Sequence, residues 1–255
     1  MQEIYRANFA KEYPVKIIYE DNHLLFVEKP AGLLAQADKS GDPDILNILK
    51  AYLKEKYDKP GAAWLGLLHR LDRMVGGLMV FAKTSKAASR MSELFRKNDL
   101  QKTYQAILRN SPEQEAGKWL DRLSSKKKAG KYYPDPQGKE AILNYRLLQG
   151  ISPKDYLDKL ALAEQPHLCP TLSLVQLHLV TGRPHQIRVQ SSSRNLPILG
   201  DRRYGPHDSL NNAIPEPALY ATALEFIHPV RKEPLKVSID LPEILPWSLF
   251  RKDYP

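Results

Sequence analysis

The chain is poor in cysteine, with Cys169 alone among 255 residues. That excludes an internal disulfide and a cysteine-rich zinc site, and it indicates a reducing compartment, the cytoplasm. Long apolar runs are lacking too. Nowhere do about 18 apolar residues follow one another, as a membrane-spanning helix needs. The opening Met1-Gln2-Glu3-Ile4-Tyr5-Arg6 holds no apolar core of signal-peptide length, so neither secretion nor membrane spanning is expected. No repeat or low-complexity linker divides the chain. His167, Cys169 and His178 do not stand at a metal-binding spacing, and no metal is assigned.

Apolar residues and positive charge are plentiful. With 42% hydrophobic residues the chain can bury a core of its own, and a formal net charge of +9 favours polyanionic partners, nucleic acid first and an anionic membrane surface second.

The pattern of elements points to an α+β fold. Residues 1–16 are mixed and polar. Ile17-Ile18-Tyr19 and Leu24 to Val27 then flank Glu20-Asp21-Asn22-His23, which predicts a hairpin, broken after the second strand by Pro30-Ala31-Gly32. Asp42 followed by Pro43 is the expected start of a helix whose Ile45, Leu46, Ile48, Leu49, Tyr52 and Leu53 recur at helical spacing. Leu78 to Ala82 reads as a strand, and Thr84 or Ser85 caps a helix with Ala88, Met91, Leu94 and Phe95 on one face. Further strands are expected at Lys102 to Leu108, Ala141 to Leu147, Val175 to Leu179, Leu219 to Ile227 and Leu235 to Leu241. A short helix with Pro184 at its first position is expected after Thr181-Gly182-Arg183. Residues 151–170 show no clear period and read as an irregular insertion. Strands outnumber helices without regular strand–helix alternation, so a mixed or antiparallel sheet is indicated over a doubly wound parallel one.

One segment stands out as chemistry. In His69-Arg70-Leu71-Asp72 a lone carboxylate sits among cations at the mouth of an apolar strand that begins Gly76-Gly77. Opposite charge beside it can hold an aspartate ionised by roughly 1 to 3 pKa units, which suits a nucleophile better than a proton donor. A salt bridge beneath a loop is the alternative. Arg183, His185 and Arg188 gather cations about a helix amino terminus, where phosphate or a carboxylate such as Asp72 binds well, although a structural basic turn has the same composition. Tyr104, beside Lys102, can stack on a base or simply fill a strand face. The stretch Lys126-Lys127-Lys128-Ala129-Gly130-Lys131-Tyr132-Tyr133 contacts phosphates or is a solvated loop, and Arg202 and Arg203 occupy a tight turn between Gly200 and Gly205.

In this order the pieces resemble the RluA-type pseudouridine synthases, which isomerise selected uridines in ribosomal or transfer RNA. The resemblance runs from about Ile17 to Leu241. It rests on Lys29-Pro30-Ala31-Gly32, His69 to Asp72, the strand Gly77 to Lys83, Lys102 with Tyr104, Thr181 to Arg188, and Gly200 to Gly205. It implies a single pseudouridine synthase catalytic domain over 17–255 behind an N-terminal extension, with a central, mainly antiparallel mixed sheet flanked by helices and loops. It implies Asp72 as the catalytic carboxylate, Tyr104 as the aromatic packed on the target base, Arg188 as the cation paired with Asp72, and Arg70 as the residue that helps displace the base. His69, Lys102, Lys127, Arg183, His185, Arg202 and Arg203 complete the expected RNA contacts. The reaction needs no cofactor, and nothing demands more than a monomer.

This chain has Val75-Gly76 where many relatives carry Thr-Ser, and Gln190 where histidine is frequent, which bears on the RNA loop accepted. Too few residues precede Ile17 for an S4 RNA-binding domain, so the catalytic domain itself is expected to grip the RNA. Two other functions compete: an RNA-binding protein without turnover, and a nucleoside or glycoside hydrolase that would use Asp72 to release free uracil.

Overall fold

The computed structural model describes residues 3–250. The elements in chain order are β1 (Glu3–Tyr5), β2 (Val15–Glu20), β3 (Leu24–Lys29), α1 (Ile45–Lys56), β4 (Gly66–Leu67), β5 (Gly76–Ala82), α2 (Ser85–Lys97), β6 (Gln101–Arg109), β7 (Ala116–Leu123), β8 (Lys139–Ile151), α3 (Pro153–Tyr156), β9 (Leu172–Leu179), α4 (Gln186–Ser192), α5 (Ser209–Asn212), β10 (Leu219–Ile227) and β11 (Pro234–Ser238). The architecture is α+β, with a mixed, mostly antiparallel arrangement of strands and few helices. The residues group into two compact units, one of 3–101 with 221–239 and one of 102–220 with 240–250.

In the first unit the strand order is β1-β2-β3-β5-β10-β11, with β4 pairing β5. The expected hairpin is present, β2 meeting β3 antiparallel with Ile17 opposite Val27. Strand β5 is buried along its whole length, and Leu24 to Val27 of β3 are buried on both faces, as uninterrupted apolar runs should be. On one face Leu24, Phe26, Leu78, Val80 and Ala82 pack against Ala87 and Met91 of α2. Thr84 caps α2 through the Ala87 amide, as expected. For α1 the expected start is corrected: Asp44, not Asp42, has extended backbone and accepts the Asn47 amide, so Pro43 lies outside the helix. Asp42 is drawn instead to Arg73, 2.7 Å away.

In the second unit four strands form an antiparallel ladder in the order β6-β9-β8-β7. Strand β7 has no counterpart among the expected elements. Only Trp119 and Leu123 of it are buried, so its apolar residues recur too sparsely to mark a strand. The segment 152–171 contains a short helix, with the Asp155 carboxylate accepting the Ser152 amide, and the buried Tyr156 donates its hydroxyl to the Pro170 carbonyl. The last strand is shorter than expected, ending at Ser238.

Candidate active site

The Lys29 side chain is completely buried at the end of β3, and its Nζ donates to the carbonyls of Pro30 (2.9 Å), Leu33 (2.8 Å) and Arg73 (3.0 Å). Gly32, at φ +84°, adds its amide to the Arg73 carbonyl while Arg73 Nε donates to the Gly32 carbonyl, both at 2.9 Å. The two loops flanking β3 and β5 are thus stitched together one residue from Asp72. Asp72 is half-buried and starts a turn in which its carbonyl accepts the Val75 amide. Arg70 is exposed.

His69 accepts the Val80 amide through Nε2 at 3.1 Å and stacks on Phe95 with ring centroids 5.0 Å apart. Those contacts hold the segment preceding Asp72 against β5. Gly77 has φ +121°, and a Cβ there would lie 2.3 Å from the Ala221 carbonyl oxygen. The close approach that the glycine permits is therefore that of strand β10.

The second unit supplies the remaining candidates. Lys102 and Tyr104 are two residues apart on β6 and so share a face. Lys102 is buried and Tyr104 half-buried. Desolvation lowers the Lys102 ammonium and pushes the Tyr104 phenol up to about 12. At neutral pH Tyr104 is therefore a protonated phenol, able to stack or donate but not to act as a base.

The turn before α4 is built around Gln186. Its Oε1 accepts from the Thr181 hydroxyl (2.8 Å) and the Arg183 amide (2.9 Å), and its Nε2 donates to the Ile142 carbonyl (3.0 Å). This network shifts the helix start: α4 begins at Gln186, and His185, not Pro184, stands at its edge with φ +53°. That left-handed backbone brings His185 Nδ1 to 2.9 Å from the Tyr204 hydroxyl, which also accepts the Tyr132 amide at 3.0 Å. Arg183 Nε donates to the Glu140 carbonyl.

Arg188 is almost wholly buried. Its Nε and Nη2 meet Asp201 Oδ2 and Oδ1 at 2.7 and 2.6 Å, a two-pronged pair that sequence reasoning did not single out. Asp201, Tyr204 and Gln186 are the residues missed. All three lie inside motifs already noted, and that was the only signal available for them.

Arg202, Arg203 and Lys126 to Lys128 are exposed. Among the described residues no cluster of three His, Cys, Asp or Glu side chains could hold a metal, and no helix is long and apolar enough to cross a membrane.

An α+β protein with a formal net charge of +9 has the character of one that handles nucleic acid. The family model described as RNA pseudouridylate synthase matches residues 23–193. Ribosomal large subunit pseudouridine synthase D of Yersinia pestis is 33% identical over 248 residues, covering 91% of this chain and 69% of that protein. The enzyme of the same name from Zymomonas mobilis is 29% identical, covering 92% of this chain and 72% of its own. Among solved structures, human RNA pseudouridylate synthase domain containing 4 superposes with a TM-score of 0.69 at 24% identity, covering 91% and 90% of the two chains, and shows the same fold. The chain belongs to the RNA pseudouridylate synthase family, the isomerases that convert uridine to pseudouridine within RNA.

Proposed function

We propose that this chain converts uridine in large-subunit ribosomal RNA, with Asp72 as the reacting carboxylate. The observation that carries the reading is the half-buried Asp72 held one residue from a loop junction that Lys29 and Arg73 stitch together. Substrate choice follows the ribosomal relatives named above.

The reaction breaks the N1 glycosidic bond, turns the uracil, bonds C5 to C1′ and moves the C5 proton to solvent, without hydrolysis or redox change. One carboxylate can serve it, as nucleophile or base at the sugar, whereas glycoside hydrolysis generally uses two carboxylates and an attacking water. In this reading Arg188 pairs with Asp72 and keeps it ionised. Tyr104, protonated to about 12, packs on the released base.

Extruding the base costs a few kcal/mol, offset by stacking and by phosphate contacts. We assign those contacts to the exposed Arg70, Lys127, Arg202 and Arg203 and to Lys102, Arg183, His185 and His69, the last of which also holds its own loop. In this reading residues 17–255 are one catalytic domain, which acts as a cytoplasmic monomer.

RNA transcripts tritiated at uracil C5 test the assignment. Wild type releases tritium and forms pseudouridine, chiefly from ribosomal transcripts. Asp72→Asn binds the same RNA and releases none. Full release by the variant would remove Asp72 from the mechanism, and free uracil among the products would replace the isomerase reading with hydrolysis.

A further inference from the structure

We propose that Asp201 is a positioning residue for the reaction, acting through Arg188. Asp201 is completely buried, and both its oxygens are committed: Oδ2 takes Arg188 Nε, and Oδ1 takes Arg188 Nη2 together with the amides of Arg203 (3.0 Å) and Tyr204 (3.1 Å). The backbone that presents the carboxylate is equally constrained. Gly200 adopts φ +77°, a Cβ there would meet the Glu216 carbonyl oxygen at 2.4 Å, and its amide donates to Asn211 Oδ1 at 3.0 Å. The Asp201 carbonyl accepts the Gly205 amide at 2.7 Å. Above the pair, the Arg188 guanidinium lies 5.0 Å from the centre of the Tyr204 ring. The six-residue turn therefore constrains the plane, rotation and depth of the guanidinium.

Such a pair is a poor device for stability alone, because taking two charges out of water offsets most of their attraction, and apolar side chains of similar volume commonly do as well. What it supplies is orientation. Two prongs of a carboxylate hold one edge of the planar guanidinium. The inference rests on the reading that Arg188 takes part in the reaction. On that reading Asp201 touches neither sugar nor base, and its loss acts on the rate through Arg188.

The test uses single-turnover tritium release with saturating RNA, RNA affinity and thermal melting for Asp201→Asn, Asp201→Glu, Arg188→Ala and the double variant Asp201→Asn with Arg188→Ala. Asp201→Asn retains one oxygen for the two amides but loses one prong and the charge. Asp201→Glu keeps the charge, displaces the fork by a methylene, and reports on position should the asparagine variant not fold. Each is expected to slow the chemical step on the order of 10- to 100-fold, as displacements of a catalytic group do, with RNA affinity changed less than about twofold. In the Arg188→Ala background Asp201→Asn is expected to add less than about twofold, the non-additivity of groups acting as a unit. A wild-type rate in folded Asp201→Asn or Asp201→Glu, or an undiminished effect of Asp201→Asn without Arg188, would overturn the positioning role and leave Arg188 in place. A wild-type rate in Arg188→Ala would instead overturn the assignment of Arg188, and this inference with it.

Discussion

Replacing Lys29 by methionine keeps the length and apolar stem of a completely buried side chain while removing all three donors that bind the carbonyls of Pro30, Leu33 and Arg73. The Leu33 bond is fully out of water, so that carbonyl is left unsatisfied at a cost of about 1–3 kcal/mol. The other two bonds are partly accessible, water recovers much of each, and about 0.5–1 kcal/mol apiece is lost. Relief from burying an ammonium works in the opposite direction and trims the sum to about 2–3 kcal/mol.

For a chain of this size that lowers the melting midpoint by roughly 5–10 °C. The clamp also sets the position of the loop holding Asp72, so tritium release should fall about tenfold or more with RNA affinity retained. Differential scanning calorimetry and single-turnover release on one preparation check both expectations. A midpoint within about 1 °C of wild type would refute the assignment of the three bonds as a stabilising clamp. A normal rate despite lowered stability would refute the link to Asp72.

Burial alone would raise the Glu20 carboxyl, but donors from Lys83, Lys56, Tyr57 and Tyr52 outweigh it and bring it down to about 2. Because the folded value lies below the unfolded one, the stabilisation is complete above about pH 4.5 and fades as pH falls towards 2. Urea denaturation should therefore show Glu20→Gln less stable than wild type by roughly 1–3 kcal/mol at neutral pH, a figure discounted for solvent screening, with the gap closing in acid. Gly77→Ala drives a Cβ to 2.3 Å from the Ala221 carbonyl oxygen at φ +121°, and a loss of about 3 kcal/mol or more, visible as a lowered melting midpoint or poor soluble yield, is expected. Lys127→Ala should weaken binding to all RNA sequences alike and reduce the slope of log affinity against log salt by roughly 0.7–0.9, and an unchanged slope would remove Lys127 from the phosphate contacts.

Much of the first unit is legible in sequence because its signals are local. Val15 to Lys29 alternates strand, acidic turn and strand, and Thr84 precedes an amphipathic run. What escapes is decided by tertiary competition. Asp42 and Asp44 are equivalent as helix starts until Arg73 claims one of them. Strand β7 buries two side chains in eight, too few to show a period, yet eight residue pairs tie it to β8. At the site, the motifs identify Asp72, Tyr104 and Arg188 as candidates, but the partner that grips Arg188 stands thirteen residues further on, across a turn. His185 reads as a helical cation only while Pro184 is taken as the first helical residue, and the Gln186 network moves that boundary.

The tip between β7 and β8 is anchored through main chain. The Tyr132 amide donates to the Tyr204 hydroxyl, the Ser124 amide to the Tyr133 carbonyl, and Lys128 and Lys131 exchange backbone hydrogen bonds. The first two of these bonds do not depend on which side chains occupy 125–131, and the Lys128–Lys131 pair asks only for residues at 129 and 130 that accept left-handed backbone, as Ala129 (φ +48°) and Gly130 (φ +75°) do. The tip is therefore an interchangeable fitting: evolution can rewrite its charge and length to suit another RNA loop while the Asp201 turn and the reaction stay untouched. Grafting 125–131 from a relative with a different target is a direct route to an enzyme of altered address.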